Sequence, residues 1–311
     1  MRLIKLIVLT LFITIPVASV ADILPAPRQI AAHSYAWIGP YGPPTKENQG
    51  YRMNMGFVVG EDAVAVIDSG YGDDMANAML AQIRQITDRP VRYVINTNSQ
   101  PHRILGNALF RKQGATVIAS ETASPRMVNE GAAMAGTAEN ILGLAAGSVH
   151  KPGQPDRGLQ QATEISLGGI NLVVTPVGTA HTAGSLIVEV VEDRVVYAGD
   201  VLYAGRLLAV LPVSRVDGWI VAFDSLRTYQ DALFVPGHGE PAKLSDFEHS
   251  TYQYLTTLKS HMDGAIDQGL GLQESINSLD QAPWKGLADF DALAGRNAHQ
   301  TYLEREAAAF E

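Results

Sequence analysis

Three hydrophobic runs in the second half of this chain each stop at a short glycine-containing turn that carries a His or an Asp. Thr179-Ala180-His181-Thr182-Ala183-Gly184-Ser185 follows one run, Ala198-Gly199-Asp200 ends another, and Val235-Pro236-Gly237-His238-Gly239 ends a third. In an α/β sheet such strand ends converge on one edge, where ligands bind. His181, Asp200 and His238 are therefore expected to meet there. Neutral imidazoles and a carboxylate suit a zinc ion, which takes about four ligands at roughly 2.0–2.2 Å. A lone His after a strand is more often structural than ligating, whereas three such residues in this context define a candidate site.

The rest of the pattern argues for one α/β unit. Residues 53–59 and 63–67 are dense in apolar and β-branched residues and flank Gly60-Glu61-Asp62, which predicts two antiparallel strands. Asp68-Ser69-Gly70 closes the second. Asp73 or Asp74 caps a helix with Met75, Met79, Ile83 and Ile86 at helical spacing, ending before Arg89-Pro90. A strand over 91–95, a short helix over 104–112 stopped at Gly114, and a strand over 115–119 follow. This alternation predicts parallel pairing with helices layered outside. Residues 121–147 are Ala- and Met-rich and read as helical, and 151–156 as a loop near the midpoint. Strands are then expected over 165–167, 170–177, 186–191 and 194–198, a helix over 218–229 and a strand over 232–235. Ser245-Asp246-Phe247-Glu248 reads as a capping box opening a helix with Phe247, Thr251, Tyr254, Leu255 and Leu258 on one face. An Ala- and Glu-rich helical tail ends the chain.

With no cysteine, disulfides and thiolate ligation are excluded, so any metal must be held by nitrogen and oxygen. Arg2 and Lys5 precede an apolar run over 6–17, and Ser19-Val20-Ala21 precedes Asp22. That pattern predicts a secretory signal peptide over 1–21, too short for a membrane span, and a mature domain over 22–311 exported to the periplasm. A net charge of −9 without a Lys/Arg cluster argues against nucleic acid as a partner.

The order His181, Asp200, His238, with Gly-Phe-Val-Val-Gly at 56–60 and Val-Ile-Asp-Ser-Gly at 66–70 before it, resembles the metallo-β-lactamase superfamily over nearly the whole mature chain. The runs at 87–97, Leu105-Gly106-Asn107 and 197–203 look most like exported quinoprotein-relay-system zinc metallohydrolases and related hydrolases found beside sulfur-oxidation genes. The resemblance implies a four-layer αβ/βα sandwich with two zinc ions at one edge, held in part by a His-x-His-x-Asp-His loop. Position by position, this chain offers Asn98 and Gln100 for the two His, His102 for the Asp and Arg103 for the last His. Amides are weak zinc donors and a guanidinium cannot ligate, so the first metal position is expected to be empty. At the second, His102, Asp200 and His238 would leave one place open, with His181 as a fourth ligand. The alternative is that Arg103 replaces the metal's charge, pairing with Asp68 or Asp200, while the histidines form a hydrogen-bonded cluster. The expectation is zero or one zinc ion.

Two functional classes follow. One is a metallohydrolase of esters, thioesters, lactones or amides, accessory to quinoprotein or sulfur oxidation, with Asp200 and with His102 as a general base titrating near neutral pH. The other is a non-catalytic periplasmic binding protein whose cleft, lined by Asn98, Gln100, His102 and Arg103, holds an anionic small molecule or a redox partner. His33, His150, His249, His261 and His299 fall outside ligand-like spacing. Thr182 and Ser185 are expected to secure the turn around His181, and Trp219 and Phe223 to belong to the core. Asp68 is either a strand-end turn residue or an outer carboxylate holding the loop.

Overall fold

The computed structural model describes residues 23–310, and the expected signal peptide lies outside them. Strands β1 (Arg28–Gln29), β2 (Ser34–Trp37), β3 (Met55–Val59), β4 (Val64–Ile67), β5 (Val91–Ile95), β6 (Thr116–Ser120) and β7 (Arg157–Leu159) form one sheet in that spatial order. Its first four strands pair antiparallel and β4 to β7 pair parallel. Strands β8 (Thr163–Ser166), β9 (Asn171–Gly178), β10 (Ser185–Val190), β11 (Val195–Tyr203) and β12 (Leu233–His238) form a second sheet, antiparallel except for the β11–β12 pair.

The period-two side-chain pattern of each strand separates the layers. In β4, Val64 and Val66 face helices, whereas Ala65 and Ile67 join Leu172, Val188 and Tyr197 between the two sheets. Helices α1 (Asp73–Ile86), α2 (Pro101–Ile104), α3 (Asn107–Lys112) and α4 (Ser124–Leu142) cover the outer face of the first sheet. Helices α5 (Val216–Ser225), α6 (Tyr254–Asp267), α7 (Leu272–Ser278) and α8 (Phe290–Ala309) cover the second. Helix, sheet, sheet and helix enclose three apolar seams, which is the expected four-layer sandwich. Met75, Met79 and Ile83 are buried as their spacing requires, each stabilising the fold by roughly 1.5–3 kcal/mol. Ile86, at the end of that face, is exposed. No helix among the described residues is long and apolar enough to cross a membrane.

Several local expectations change. Neither Asp73 nor Asp74 caps α1, whose N-cap is Gly72 with no side-chain cap, and β11 runs past the expected 194–198 through Asp200 to Tyr203. The capping box is not made by Ser245 and Glu248: Asp246 reaches back to accept from the Lys243 N–H at 3.1 Å, because Glu248 is drawn to Arg227 instead. The chain then passes through a π turn over Glu248–Gln253 before α6 begins. Ser250 and Thr251 in that turn donate to the Tyr203 carbonyl at 2.6 and 2.9 Å, tying it to the end of β11. The predicted helix over 104–112 is in fact two, with Pro101 at the first position of α2, where its missing N–H costs nothing. His102 and Arg103 thus project from a helical turn, not from an open loop.

Candidate functional site

Asp68 follows β4 in the left-handed region, with φ 63°, and its carboxylate reaches the end of β5. One oxygen accepts from the Thr97 N–H at 2.7 Å and the other from the Thr97 hydroxyl at 2.9 Å. Asn96 donates to the Arg103 carbonyl at 2.9 Å and fastens α2 to the same strand end. Asp68 is both a turn residue and the carboxylate that holds the loop.

Arg103 occupies the centre. It is fully buried, with Nε and Nη2 forked onto the two Asp200 oxygens at 3.1 and 2.6 Å. Nη1 reaches Asp68 at 2.9 Å and the Asn54 carbonyl at 2.5 Å, and Nη2 also donates to the Gly237 carbonyl at 3.1 Å. A guanidinium has five N–H donors, and every one is engaged. Glycine is required where this side chain passes β12: a Cβ on Gly237 would lie 2.2 Å from Asp200 Oδ1 and 2.8 Å from Arg103 Nη2. The expected pairing with Asp68 or Asp200 is made with both.

Asn98 and Gln100, which the resemblance sets at two histidine positions, are also engaged. Asn98 donates to Asp200 Oδ2 at 2.7 Å. The Gln100 amide lies 2.7 Å from His181 Nε2, and Ser214 donates to the His181 carbonyl at 2.7 Å. His181 is thereby kept apart from the other candidate ligands, with its ring edge-on to Trp219 at 5.1 Å. Trp219 and Phe223 are buried as expected, and Ser185 donates to the Thr182 carbonyl at 3.1 Å within the turn.

His102, Asp200 and His238 converge, each offering one ligand atom within 4.8 Å of the others. His102 Nε2 lies 3.8 Å from Asp200 Oδ2, and His238 Nε2 lies 3.5 Å from Asp200 Oδ1. The histidines do not form the expected hydrogen-bonded cluster. His102 Nε2, His181 Nδ1 and His238 Nδ1 are buried without partners, and His238 is stacked on Tyr203 at 5.0 Å. Its Nε2 faces Arg206 Nη1 at 3.4 Å. His33, His150, His249, His261 and His299 are outside this group, as their spacing predicts.

Burial would push the Asp200 carboxyl up, but Arg103, His102, His181 and His238 together hold it well below the usual carboxylate range. Burial pushes Asp68 up to about 6 against the pull of Arg103 and the Thr97 N–H. It pushes His102 down to about 3, His181 to about 4, and His238 well below the ordinary imidazole value. The near-neutral titration on which a general-base role for His102 rested is therefore lost. A histidine depressed in the folded state gives stability that is present above its unfolded value of about 6.5 and is lost as pH falls toward the folded value. Asp200 acts in the same sense and Asp68 opposes it between about 4 and 6. Stability is expected to fall between pH 6.5 and 4 by as much as about 1.4 kcal/mol per pH unit for each histidine, read by thermal unfolding across that range. A flat profile would mean that the histidines are solvated and ordinary.

This donor set does not fit a two-zinc centre, since Asn98, Gln100 and Arg103 stand at three ligand positions. For one ion the count of His102, Asp200 and His238 suffices, but the charge does not: Asp200 already accepts from Asn98 and twice from Arg103, and Arg206 adjoins His238. Beside the cluster lies a cavity of about 260 Å³, lined by His102 and His238 together with Arg52, Arg206 and Arg296 and the apolar Val210, Leu211 and Leu293. Sequence reasoning missed Arg52, Arg206 and the loop-bracing Asn54, whose amide donates to the Pro236 and Gly239 carbonyls at 2.9 and 2.7 Å. Their only signal was position, within three residues of a strand end.

Residues 51–238, more than half of the chain, match the family model of the metallo-beta-lactamase superfamily. Acyl-coenzyme A thioesterase MBLAC2 of Gallus gallus is 34% identical over 91 residues, covering 28% of this chain and 32% of that protein. Linear primary-alkylsulfatase of Pseudomonas sp. is 19% identical over 258 residues, covering 71% of this chain and 49% of that protein. The chain thus spans a third to a half of the length of these two relatives. Among solved structures, a metallo-beta-lactamase from Pontibacter korlensis superposes with a TM-score of 0.59 at 19% identity, over 74% of this chain and 98% of that one. TMB-1 does so with a TM-score of 0.56 at 16% identity, over 74% and 96%. At these identities the likeness is one of fold, and it agrees with the family match, which runs as far as His238, the last residue of the cluster: the chain belongs to the metallo-β-lactamase superfamily.

Proposed function

We propose that this chain is a superfamily member in which a fixed guanidinium has replaced the metal's charge and whose cleft binds an anionic small molecule without hydrolysing it. The observation that carries the reading is Arg103, buried between Asp68 and Asp200 with all five donors engaged. Its charge neutralises the carboxylate that a metal would otherwise need to balance, while Arg52, Arg206 and Arg296 line the cavity beside the cluster. A periplasmic role beside quinoprotein or sulfur-compound oxidation is part of the proposal, supported by the leader-like first 21 residues and the runs at 87–97 and 197–203.

The test is to express the chain from Asp22 onward in the periplasm and measure zinc, iron and manganese per protein by mass spectrometry, with His238→Ala as control. The expected content is far below one equivalent in both, because a buried guanidinium already balances the carboxylate that a metal would need. One equivalent that disappears in the His238→Ala protein would overturn the reading in favour of a second one, a mononuclear hydrolase. That second reading is supported by the convergence of His102, Asp200 and His238 and by the unpartnered His102 Nε2. Two relatives named as a thioesterase and an alkylsulfatase would then put ester-type bonds first among substrates to screen, with loss of turnover in EDTA as the check.

A further inference from the structure

Of the three arginines that line the cavity beside the cluster, Arg52 and Arg206 repel each other. Arg52 precedes β3 and Arg206 follows β11, and both line the cavity. Arg206 is matched in part: its Nε donates to Asp289 at 2.8 Å. Arg52 makes no side-chain hydrogen bond or ion pair among the described residues, and its Nε is buried without a partner. Burial first and Arg206 second push its guanidinium below the ordinary arginine value. An unpaired cation beside another in a partly buried cavity costs folding free energy. Asp68 and Asp200 do not pair with it, because both carboxylates are held by Arg103. Residues kept at a cost to stability are characteristic of binding sites.

Resting on the anion-binding reading of the cleft, we propose that Arg52 is the anchor of a small organic carboxylate, whose planar head bridges Arg52 and Arg206. Each guanidinium presents the forked donors that match a carboxylate. The body of the ligand lies along Val210, Leu211 and Leu293, the apolar part of the lining. A cavity of about 260 Å³ is smaller than the roughly 300–1,000 Å³ of drug-sized sites, so the ligand is short-chained.

Titration calorimetry on the mature chain with butanoate, butyl sulfate, inorganic sulfate and 1-butanol tests this. Butanoate is expected to bind, 1-butanol not, and Arg52→Gln to weaken butanoate at least about tenfold, the size of one charge-assisted bond. Arg157→Gln, an exposed arginine on β7, should leave binding unchanged. Without ligand, Arg52→Gln should melt at or above the wild-type temperature, because it removes a repulsion. Butanoate binding that survives Arg52→Gln within twofold would overturn the anchor while leaving an anion-binding cleft. Binding of the sulfates but not butanoate would overturn the carboxylate assignment. A lower melting temperature in Arg52→Gln would assign Arg52 a structural role and overturn the proposal. If none of the anions binds the wild-type protein, both this inference and the reading beneath it fail.

Discussion

Replacing Arg103 by methionine is expected to cost about 3–5 kcal/mol of stability, the usual loss when one member of a buried ion pair is removed. Methionine nearly fills the volume but leaves Asp68 and Asp200 facing each other in the core without a cation, and strips the Asn54 and Gly237 carbonyls of their donors. Urea unfolding at pH 7 measures the loss. Arg103→Lys should fall between the two, because one ammonium cannot span both carboxylates and two carbonyls. Adding Asp68→Asn to Arg103→Met should recover part of the loss, since the amide oxygen can still accept from the Thr97 N–H while one uncompensated charge disappears. A loss below about 1 kcal/mol in Arg103→Met would mean that something other than this guanidinium balances Asp200, and a bound metal would be the first candidate. The stability of the core and the identity of the site's cation are thus read by one substitution.

The layers were legible because period-two strands and period-3.6 helices alternate without ambiguity: Val64 to Ile67 and the Met75, Met79, Ile83 face lie where their spacing puts them. The edge that carries His181, Asp200 and His238 was legible for the same reason, since His181 follows β9 and His238 ends β12, although β11 runs on past Asp200 to Tyr203 and His181 stands apart from the other two. What the sequence left open was the partner each polar side chain would choose. Arg103 could pair with Asp68 or Asp200, and only the turn at Asp68 and the close passage of Gly237 bring both within reach. Three histidines suggested mutual hydrogen bonds, yet the ring of His181 packs on Trp219 and that of His238 on Tyr203, while His102 meets His238 edge-on. The capping box failed because Arg227, 21 residues away, competes for Glu248. Arg52 and Arg206 belong to no motif, and their meeting depends on two loops from different sheets. Local period fixes elements, while long-range charge pairing fixes the site, and one strand order admits several pairings.

Writing the His-x-His-x-Asp-His pattern into the loop is expected to raise the zinc content of the chain to close to two equivalents. The required changes are Asn98→His, Gln100→His, His102→Asp and Arg103→His in one protein. The frame for them exists: Asp68 braces Thr97, Asn96 fastens α2 to β5, and His181 after β9, Asp200 within β11 and His238 at the end of β12 already stand on the facing sheet. Removing the guanidinium together with the Asn98 amide frees both Asp200 oxygens, and removing Gln100 frees His181 Nε2. Without metal this variant should be less stable than the wild type, having lost the guanidinium that pairs with both carboxylates. Zinc at about a thousand times its dissociation constant should add about 4 kcal/mol per site, and that gain should vanish with chelator and shrink as pH falls and the imidazoles protonate. Mass spectrometry for metal content and thermal unfolding with and without zinc measure both effects. Arg103→His alone, with Asn98 and Gln100 in place, should take up at most one equivalent. If the fourfold variant folds and binds no zinc, the strand ends have drifted from metal-binding geometry, and Arg103 would then be a consequence of that drift instead of a direct substitute for the ion.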